Sequence, residues 1–296
     1  MKKTHHLKKA ALLLLIGAAC SCSNEATLDQ EQENTSATQD TYLNNNLETL
    51  TDRTTCSESS FPNLGPGATR GQADGCNDVS NPNNIGTLDC RSNAGGYSNS
   101  GDFGKYEITG SNTRFDGTRT RVERFFNSVR REANTSSRLS YRFVIDDLSD
   151  DQTCIVQAHA TGDIVDGERT GQRAASAVFL LYATKSRNAD TYNLHVHEST
   201  TPFTTTNRGT RTITFFRSIR KGVEYNLTYR TGYNANNQAF SAIRVYRGND
   251  SKFMNFNHNY TSESVTTRYG AYEASDSGSD RSVSLRIKNT RFCRLN

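Results

Sequence analysis

The chain has 296 residues, 33% of them hydrophobic, and carries 35 basic against 31 acidic side chains. It contains no Lys/Arg-rich run, no zinc-finger spacing and no recognition-helix pattern, so composition and motifs argue against a nucleic-acid-binding protein. We expect no nucleic-acid partner.

The N-terminus has the form of a bacterial export signal. Lys-rich residues precede an apolar run, Ala10 to Ala19, which is too short to span a bilayer as a helix. The next residues resemble a lipobox, in which small residues precede a cysteine that becomes acylated. Cys20 and Cys22 both fit, and we favour Cys22 because Ala19 lies three residues before it. We predict a signal peptide over 1–21 and an exported protein, anchored by lipid to the outer membrane or cell surface, with secretion after ordinary cleavage as the alternative.

Residues 22–60 are rich in Gln, Asn, Thr, Glu and Ser, which predicts a flexible polar tether because such a segment cannot bury enough surface to fold. The tether holds eight acids and one Arg, whereas residues 61–296 hold 30 basic and 23 acidic residues, a net charge of +7. Most of the basic residues are Arg, whose planar guanidinium matches carboxylate and sulfate oxygens. A basic domain of this kind indicates a polyanionic partner, although a solvated surface that prefers Arg would explain many of these residues.

Five cysteines follow the lipobox, namely Cys56, Cys76, Cys90, Cys154 and Cys293. An exported protein can form disulfides, but five cysteines cannot all pair internally, and the sequence does not choose the pairing. No CxxC motif occurs, so we predict no zinc site.

Residues 61–296 predict one all-β domain, a jelly-roll β-sandwich. Alternating and β-branched segments recur along the chain, separated by Gly, Asn, Asp and Ser clusters and without amphipathic helices between them. The predicted strands are Leu139–Ile145, Thr153–Ala160, Ala177–Ala183, Tyr192–Glu198, Arg211–Phe216, Glu224–Arg230, Ala239–Tyr246, Thr267–Ala274 and Ser282–Asn289. The first half of 121–132 also favours a strand, although the whole segment has a helical alternative.

Three short segments carry chemically reactive side chains in strand-like surroundings: Arg119–Glu123, Gln157–His159 and Arg268–Tyr272. Residues two apart in a strand share a face, so each segment would direct its polar side chains to one side of a sheet. Side by side, they would supply guanidinium groups, an amide, an imidazole and a phenol to a common groove. This set suits proton abstraction next to a carboxylate.

The order and spacing of these segments resemble the alginate-lyase-type polysaccharide lyases, which carry R-[TS]-E-[LV]-R, then Q-[IV]-H, then Y-F-K-A-G-x-Y. Arg119–Glu123 keeps the R-T-x-V frame but exchanges the acid and the second base, while Gln157–His159 keeps the outer residues of its motif. Arg268–Tyr272 keeps a base and a tyrosine four residues apart. These departures, the Arg excess and the export signal make the short ulvan lyases of marine bacteria the nearest resemblance, jelly-roll enzymes that act on a sulfated rhamnose–uronate polymer.

The resemblance implies a role for each residue in eliminating across C4–C5 of a uronate. Arg119 or Arg121 and Gln157 would neutralise the substrate carboxylate, which makes the carbanion-like transition state accessible. His159 would take the C5 proton, and Tyr272 would protonate the departing O4 or act as both acid and base. No cofactor is needed.

Further residues are predicted to bind substrate along the same groove. They are Arg268, Glu123, His195, His197 and His258. Each has a plain structural alternative: Arg119 and Arg121 could pair with Glu123 at the surface, and the two His of His195-Val-His197 could simply line the face of a strand. A metal at that pair is not expected, since no acid of suitable spacing lies nearby.

The sequence therefore predicts an exported, monomeric polysaccharide lyase that cleaves a uronate-containing polymer endolytically, with ulvan as the first substrate and alginate or glucuronan as the second. A non-catalytic glycan-binding lipoprotein on the same fold is the alternative from another functional class, because fold alone does not determine function.

Overall fold

A computed structural model describes residues 81–92, 95–110, 114–115, 118–149, 152–163, 175–199, 211–258, 262–272 and 281–295. The predicted signal peptide, lipidation site and tether lie outside these residues, as do Cys56 and Cys76. No helix in these ranges is long and apolar enough to cross a membrane.

The described residues form seventeen β-strands. The first seven are short: β1 Thr87–Arg91, β2 Tyr97–Ser100, β3 Phe103–Gly110, β4 Arg114–Phe115, β5 Thr118–Arg119, β6 Arg121–Phe125 and β7 Val129–Arg130. The remaining ten have 8 to 15 residues: β8 Ser136–Leu148, β9 Gln152–Asp163, β10 Ala175–Lys185, β11 Thr191–Ser199, β12 Arg211–Arg220, β13 Tyr225–Tyr233, β14 Ala239–Arg247, β15 Asp250–Asn257, β16 Ser262–Tyr272 and β17 Arg281–Leu295.

Two antiparallel sheets make up the sandwich. Sheet A has the order β1-β6-β16-β9-β10-β11-β12, with β7 paired to β16, and sheet B has the order β15-β14-β13-β8-β17-β3-β2. Some neighbouring strands are consecutive in the chain and others are distant, as when β16 lies between β6 and β9. This long-range pairing brings the three reactive segments, on β6, β9 and β16, onto adjacent strands.

Period-two alternation decides which side of each strand enters the core. On β17, Val283, Leu285 and Ile287 are buried at 1%, 0% and 0% exposure, as the alternating sequence predicts. The large hydrophobic core of the described residues lies between the inner faces of the two sheets. Burial of these side chains stabilises the fold by roughly 2 kcal/mol for each large aliphatic residue.

Polar side chains also join the two sheets inside the core. The Tyr141 hydroxyl on β8 donates to the Ile155 carbonyl on β9 over 2.9 Å, and the Ser137 and Thr267 hydroxyls lie 3.0 Å apart. Because these bonds are buried, they fix the position of β9 and β16 against sheet B. The strands that carry the reactive segments are thereby held on a rigid support.

The all-β jelly-roll prediction is confirmed, and each of the nine predicted strands is found. The predicted strands omit β1 to β4, β7 and β15. β1, β2, β4 and β7 span five residues or fewer, too few to show a pattern, whereas β3 does alternate, with Gly104, Tyr106 and Ile108 buried. The prediction of one continuous strand over Arg119–Glu123 is wrong. The chain breaks at Thr120, so that Arg119 lies on β5, in a separate two-stranded sheet, while Arg121 begins β6. Cys90 and Cys293 are disulfide-bonded, whereas Cys154 is a buried free thiol.

Candidate active site

The reactive side chains gather on the outer face of sheet A, where β6, β16 and β9 lie side by side. In the strand register, Tyr272 on β16 lies opposite Arg121 on β6, and Arg268 on β16 lies opposite Gln157 on β9. His159 lies two residues beyond Gln157 on β9, opposite Thr266. The structure therefore brings together five predicted site residues that the sequence distributes over 150 positions.

A glycine makes this approach possible. Gly270 lies opposite Glu123 with a φ of 133°, and a Cβ placed there would come within 2.5 Å of the Val122 carbonyl oxygen and 2.8 Å of the Glu123 Cα. An L-residue would thus be strained in conformation and would also collide with β6. The register between β16 and β9 shifts between Tyr269 and Tyr272, so the strand bulges at this point.

Gln157 and Glu123 form a buried bond across the intervening strand β16. The Gln157 Nε2 donates to Glu123 Oε1 over 2.6 Å, and Glu123 Oε2 lies 3.8 Å from both Arg121 Nη1 and Arg268 Nη1. Burial raises the pKa of Glu123, while Arg121, Arg268 and the Gln157 bond act in the opposite direction. Glu123 is only 1% exposed. Its side chain positions Gln157 and the two guanidinium groups from beneath, and its predicted role in substrate binding stays a prediction.

Asp89 on β1 is a second buried carboxylate, which the sequence analysis missed. Its Oδ2 accepts from Arg268 Nη1 over 2.9 Å, and its Oδ1 lies 2.9 Å from Arg91 Nε. Asp89 is 2% exposed. It holds the Arg268 guanidinium over the Phe125 ring, 5.0 Å from the ring centroid. Nothing around Asp89 in the sequence distinguishes it, because its partner lies 179 positions away.

His159 is partly buried among cationic groups. Burial first, and then the positive charges of Arg268, Arg121 and Arg211, together lower its pKa to about 3. The imidazole is consequently neutral at neutral pH. A neutral imidazole is in the protonation state that can accept a proton.

Tyr272 lies at the opposite end of the cluster from His159. The Arg121 guanidinium lies 4.8 Å from the Tyr272 ring centroid, and the ring packs against a small group formed by Cys154, Leu180 and Tyr182. Because Tyr272 lies opposite Cys154 and His159 lies opposite Thr266, Gln157 is flanked along the sheet by the phenol on one side and the imidazole on the other.

The face continues over β10 and β11 with two further histidines. The His197 ring lies 4.3 Å from the Tyr182 ring, and the His195 ring lies 5.6 Å from that of Phe215. Burial, then Arg211, then His195 lower the pKa of His197 to about 4, and burial lowers that of His195. No three His, Cys, Asp or Glu side chains converge as metal ligands in the described part of the chain.

His258 is hydrogen-bonded in the protein interior, and its predicted role in substrate binding stays a prediction. Its side chain is 1% exposed, its Nδ1 lies 3.1 Å from Glu198 Oε1 and its Nε2 lies 2.8 Å from Ser241 Oγ. Both ring nitrogens are thus satisfied inside the protein. The side chain of Arg119 lies outside the described residues, so its predicted role stays a prediction.

Arg211, at the start of β12, was also missed. Its Nη2 donates to the Ala177 carbonyl oxygen over 3.1 Å, although Ala177 lies on β10, two strands away. Ala177 lies opposite His159, which explains why the Arg211 charge acts on that imidazole. In the described part of this surface, four guanidinium groups face two carboxylates: those of Arg91, Arg121, Arg211 and Arg268 against Asp89 and Glu123.

Comparison with solved structures finds similar chains at low sequence identity. An alginate lyase from Pseudomonas aeruginosa is 15% identical with a TM-score of 0.44, over 65% of this chain and 85% of that one. An alginate lyase from Alteromonas sp. 272 is 14% identical with a TM-score of 0.40, over 64% and 89%. An endo-β-1,4-glucuronan lyase from Trichoderma reesei is 15% identical with a TM-score of 0.43, over 76% and 93%. No curated protein sequence matches the chain.

Sequence comparison is more specific. The profile of the PL28 ulvan lyases matches residues 46–282, which include every strand of sheet A and all the clustered side chains described above. The expected resemblance to polysaccharide lyases is thereby confirmed. The chain belongs to the PL28 ulvan lyases and is a polysaccharide lyase.

Proposed function

We propose that this lyase cleaves ulvan endolytically by β-elimination at a uronate, on the outer face of sheet A. The proposal rests on one observation: a neutral imidazole, an amide held by a buried carboxylate, guanidinium groups and a phenol lie together on three adjacent strands. Each group matches one requirement of the reaction.

The first requirement is to make the C5 proton of the uronate more acidic. The substrate carboxylate binds between Gln157, Arg121 and Arg268, where hydrogen-bond donors stabilise the negative charge that develops as the C5 proton leaves. Gln157 Nε2 has two hydrogens, and one of them is directed to Glu123. The other is available to the substrate, in an orientation that Glu123 fixes.

The second requirement is a base and an acid on the two sides of the bond. His159 accepts the C5 proton, the electron pair of that C–H bond forms the C4=C5 double bond, and the C4–O4 bond breaks. The departing O4 takes the proton of the Tyr272 hydroxyl. The Arg121 guanidinium, 4.8 Å from the ring centroid, favours the phenolate that remains until solvent returns a proton.

The position of Gln157 between the two groups supports a division of labour. If Tyr272 served as both acid and base, His159 would have no role in proton transfer. Here the imidazole is held neutral at one end of the cluster and the phenol lies at the other. We infer that His159 is the base and Tyr272 the acid.

The substrate assignment to ulvan is supported by the family and by charge. The described part of the surface carries four guanidinium groups and two carboxylates, a balance that favours a polymer carrying both carboxylates and sulfates. Endolytic cleavage is supported by the position of the cluster within the sheet. Seven strands about 4.8 Å apart give a face roughly 29 Å wide, and three strands continue beyond β9, so an extended chain can bind on both sides of the bond.

The test is ultraviolet absorbance of the purified protein mixed separately with ulvan, alginate, glucuronan and a neutral glucan. Elimination creates a conjugated, absorbing unsaturated uronate, whereas hydrolysis or binding does not. We expect absorbance to rise with ulvan, together with a rapid fall in viscosity that marks internal cleavage. No rise with any acidic polymer, from protein shown to be folded, would refute the proposal.

Two variants test the roles of the residues. We expect His159→Asn and Tyr272→Phe each to lower kcat by about 10²-fold or more while polymer binding is kept, because each loses a proton-transfer group and little contact area. Thr266→Ser, opposite His159, is the matched control and should keep wild-type kcat. If both variants only weakened binding, and wild-type protein never turned over polymer, the non-catalytic glycan-binding function would replace the lyase mechanism.

We further propose that the protein is exported and anchored through Cys22, with 22–60 as a tether and 61–296 as the catalytic domain. The support lies in the lipobox-like sequence and in the acidic composition of the segment that follows.

A further inference from the structure

An exposed apolar pair lies on the edge strand β12. Ile213 is 61% exposed and Phe215 is 56% exposed, and in the described part of the chain no other large hydrophobic side chain is exposed. One such residue on a surface needs no explanation, but two neighbours on one strand face form a patch.

The register shows that this pair shares the outer face of sheet A with the active site. Phe215 lies opposite His195 and Ile213 lies opposite His197 on β11. Phe216 and Ile219, by contrast, turn inward and are 2% exposed. The apolar pair therefore continues the surface that carries Gln157 and His159, three strands or roughly 14 Å from β9.

Arg211 completes the patch on the same strand face. It lies two residues from Ile213, and among the described residues no carboxylate lies within ion-pair distance of its guanidinium. Its partner is the uncharged carbonyl of Ala177. Arg268 differs, since Asp89 compensates its charge at 2.9 Å. An uncompensated guanidinium beside an apolar pair suits a ligand that is apolar on one side and anionic on the other.

We propose that Arg211, Ile213 and Phe215 form a sugar-binding subsite, on the β12 side of the active site, for a unit with an apolar face or methyl group and an anionic substituent such as a sulfate. The inference rests on the proposed function, because the unit belongs to the polymer that crosses the sheet from the active site. The Phe215 ring supplies a stacking platform, and Arg211 binds the anionic group. His195 and His197 beside the pair offer hydrogen bonds to hydroxyl groups.

Continuity with the active site favours a sugar chain over a protein partner. The patch consists of two apolar side chains, which is far smaller than the surface that a stable protein interface buries. It is also bordered by polar groups on the face that a substrate chain must cross. A sugar unit with one apolar side matches a patch of this size.

The test compares Phe215→Ala with Thr212→Ala, a control on the same strand with its side chain on the opposite face. On polymer, we expect Phe215→Ala to raise KM about fivefold to tenfold with kcat within about twofold of wild type, since only remote binding is lost. Arg211→Gln should reduce the difference in KM between sulfated and chemically desulfated polymer. An unchanged KM for Phe215→Ala, with wild-type turnover intact, would overturn the subsite and leave the lyase function standing.

Gel electrophoresis in gels cast with the polymer separates the two failures. If wild-type protein turns over no polymer yet is retarded, and Phe215→Ala is not retarded, the lyase function fails and the subsite holds. If neither protein is retarded, both fail. Light scattering tests whether the patch instead binds a second copy of the protein, by measuring the oligomeric state of wild type and Phe215→Ala. A wild-type dimer that is lost in Phe215→Ala, with KM unchanged, would show that it does and would overturn the subsite.

Discussion

The neutral state of His159 at neutral pH makes a prediction about stability as well as catalysis. In the unfolded chain an imidazole has a pKa of 6.5, whereas burial and the neighbouring Arg residues lower the folded-state pKa of His159 to about 3. When the pH lies between these two values, His159 is protonated in the unfolded state but not in the folded state. Stability is unaffected above about pH 7.5, falls as the pH drops through 6.5, and continues to fall towards pH 3.

The size of the effect at pH 5 follows from the unfolded pKa alone, provided that the folded value lies well below 5. It equals 2.303RT times the difference between 6.5 and 5, which is about 2 kcal/mol lost from the free energy of unfolding. His159→Asn cannot titrate and escapes this loss. We therefore expect the stability of the variant relative to wild type to increase by about 2 kcal/mol between pH 7.5 and pH 5.

Urea unfolding at pH 7.5, 6.5, 5.5 and 5.0, with the slope m compared between proteins, measures this difference directly. All other groups titrate in both proteins and cancel. His195→Asn is the matched control, because burial alone lowers the pKa of His195 and its change should be smaller. A stability difference that stays constant with pH would mean that His159 titrates normally and lies in water, which would refute the reasoning about its neutral, base-competent state. The same reasoning predicts no loss of kcat/KM near pH 6.5 that depends on His159.

Three other predictions concern the support of the site and the anchor. Gly270→Ala should lower the free energy of unfolding by about 2–4 kcal/mol and abolish most activity, because the added Cβ would lie 2.5 Å from the Val122 carbonyl oxygen, whereas Gly222→Ala, with φ also positive but open space around it, should cost about 1 kcal/mol by urea unfolding. His258→Ala should destabilise the protein by about 1–3 kcal/mol, because buried hydrogen bonds are lost, yet keep wild-type kcat/KM. A raised KM would show that His258 contributes to substrate binding. Cys22→Ser should move the protein from the membrane fraction of expressing cells to the soluble fraction, and unchanged membrane association would exclude this cysteine as the anchor.

The sequence by itself determined the all-β class and the positions of the longer strands. Alternation such as Val283, Leu285 and Ile287 decides the inward face of a strand locally, since side chains two apart always share a side. The ordered segments with Gln157, His159 and Tyr272 also indicated lyase chemistry, because the types and spacings of reactive side chains are properties of the sequence.

Only the tertiary structure decided which of these residues meet and what lies beneath them. The bond between Gln157 and Glu123 depends on β16 passing between their strands with a bulge at Gly270, and no local pattern predicts that pairing. Asp89 and Arg211 acquire their roles from partners distant in sequence. His258 lies in a segment that resembles a binding loop, but Glu198, 60 positions away, holds it in the interior. Local patterns determine strands and faces, whereas register, burial and charge compensation depend on contacts between distant segments and exist only in the folded chain.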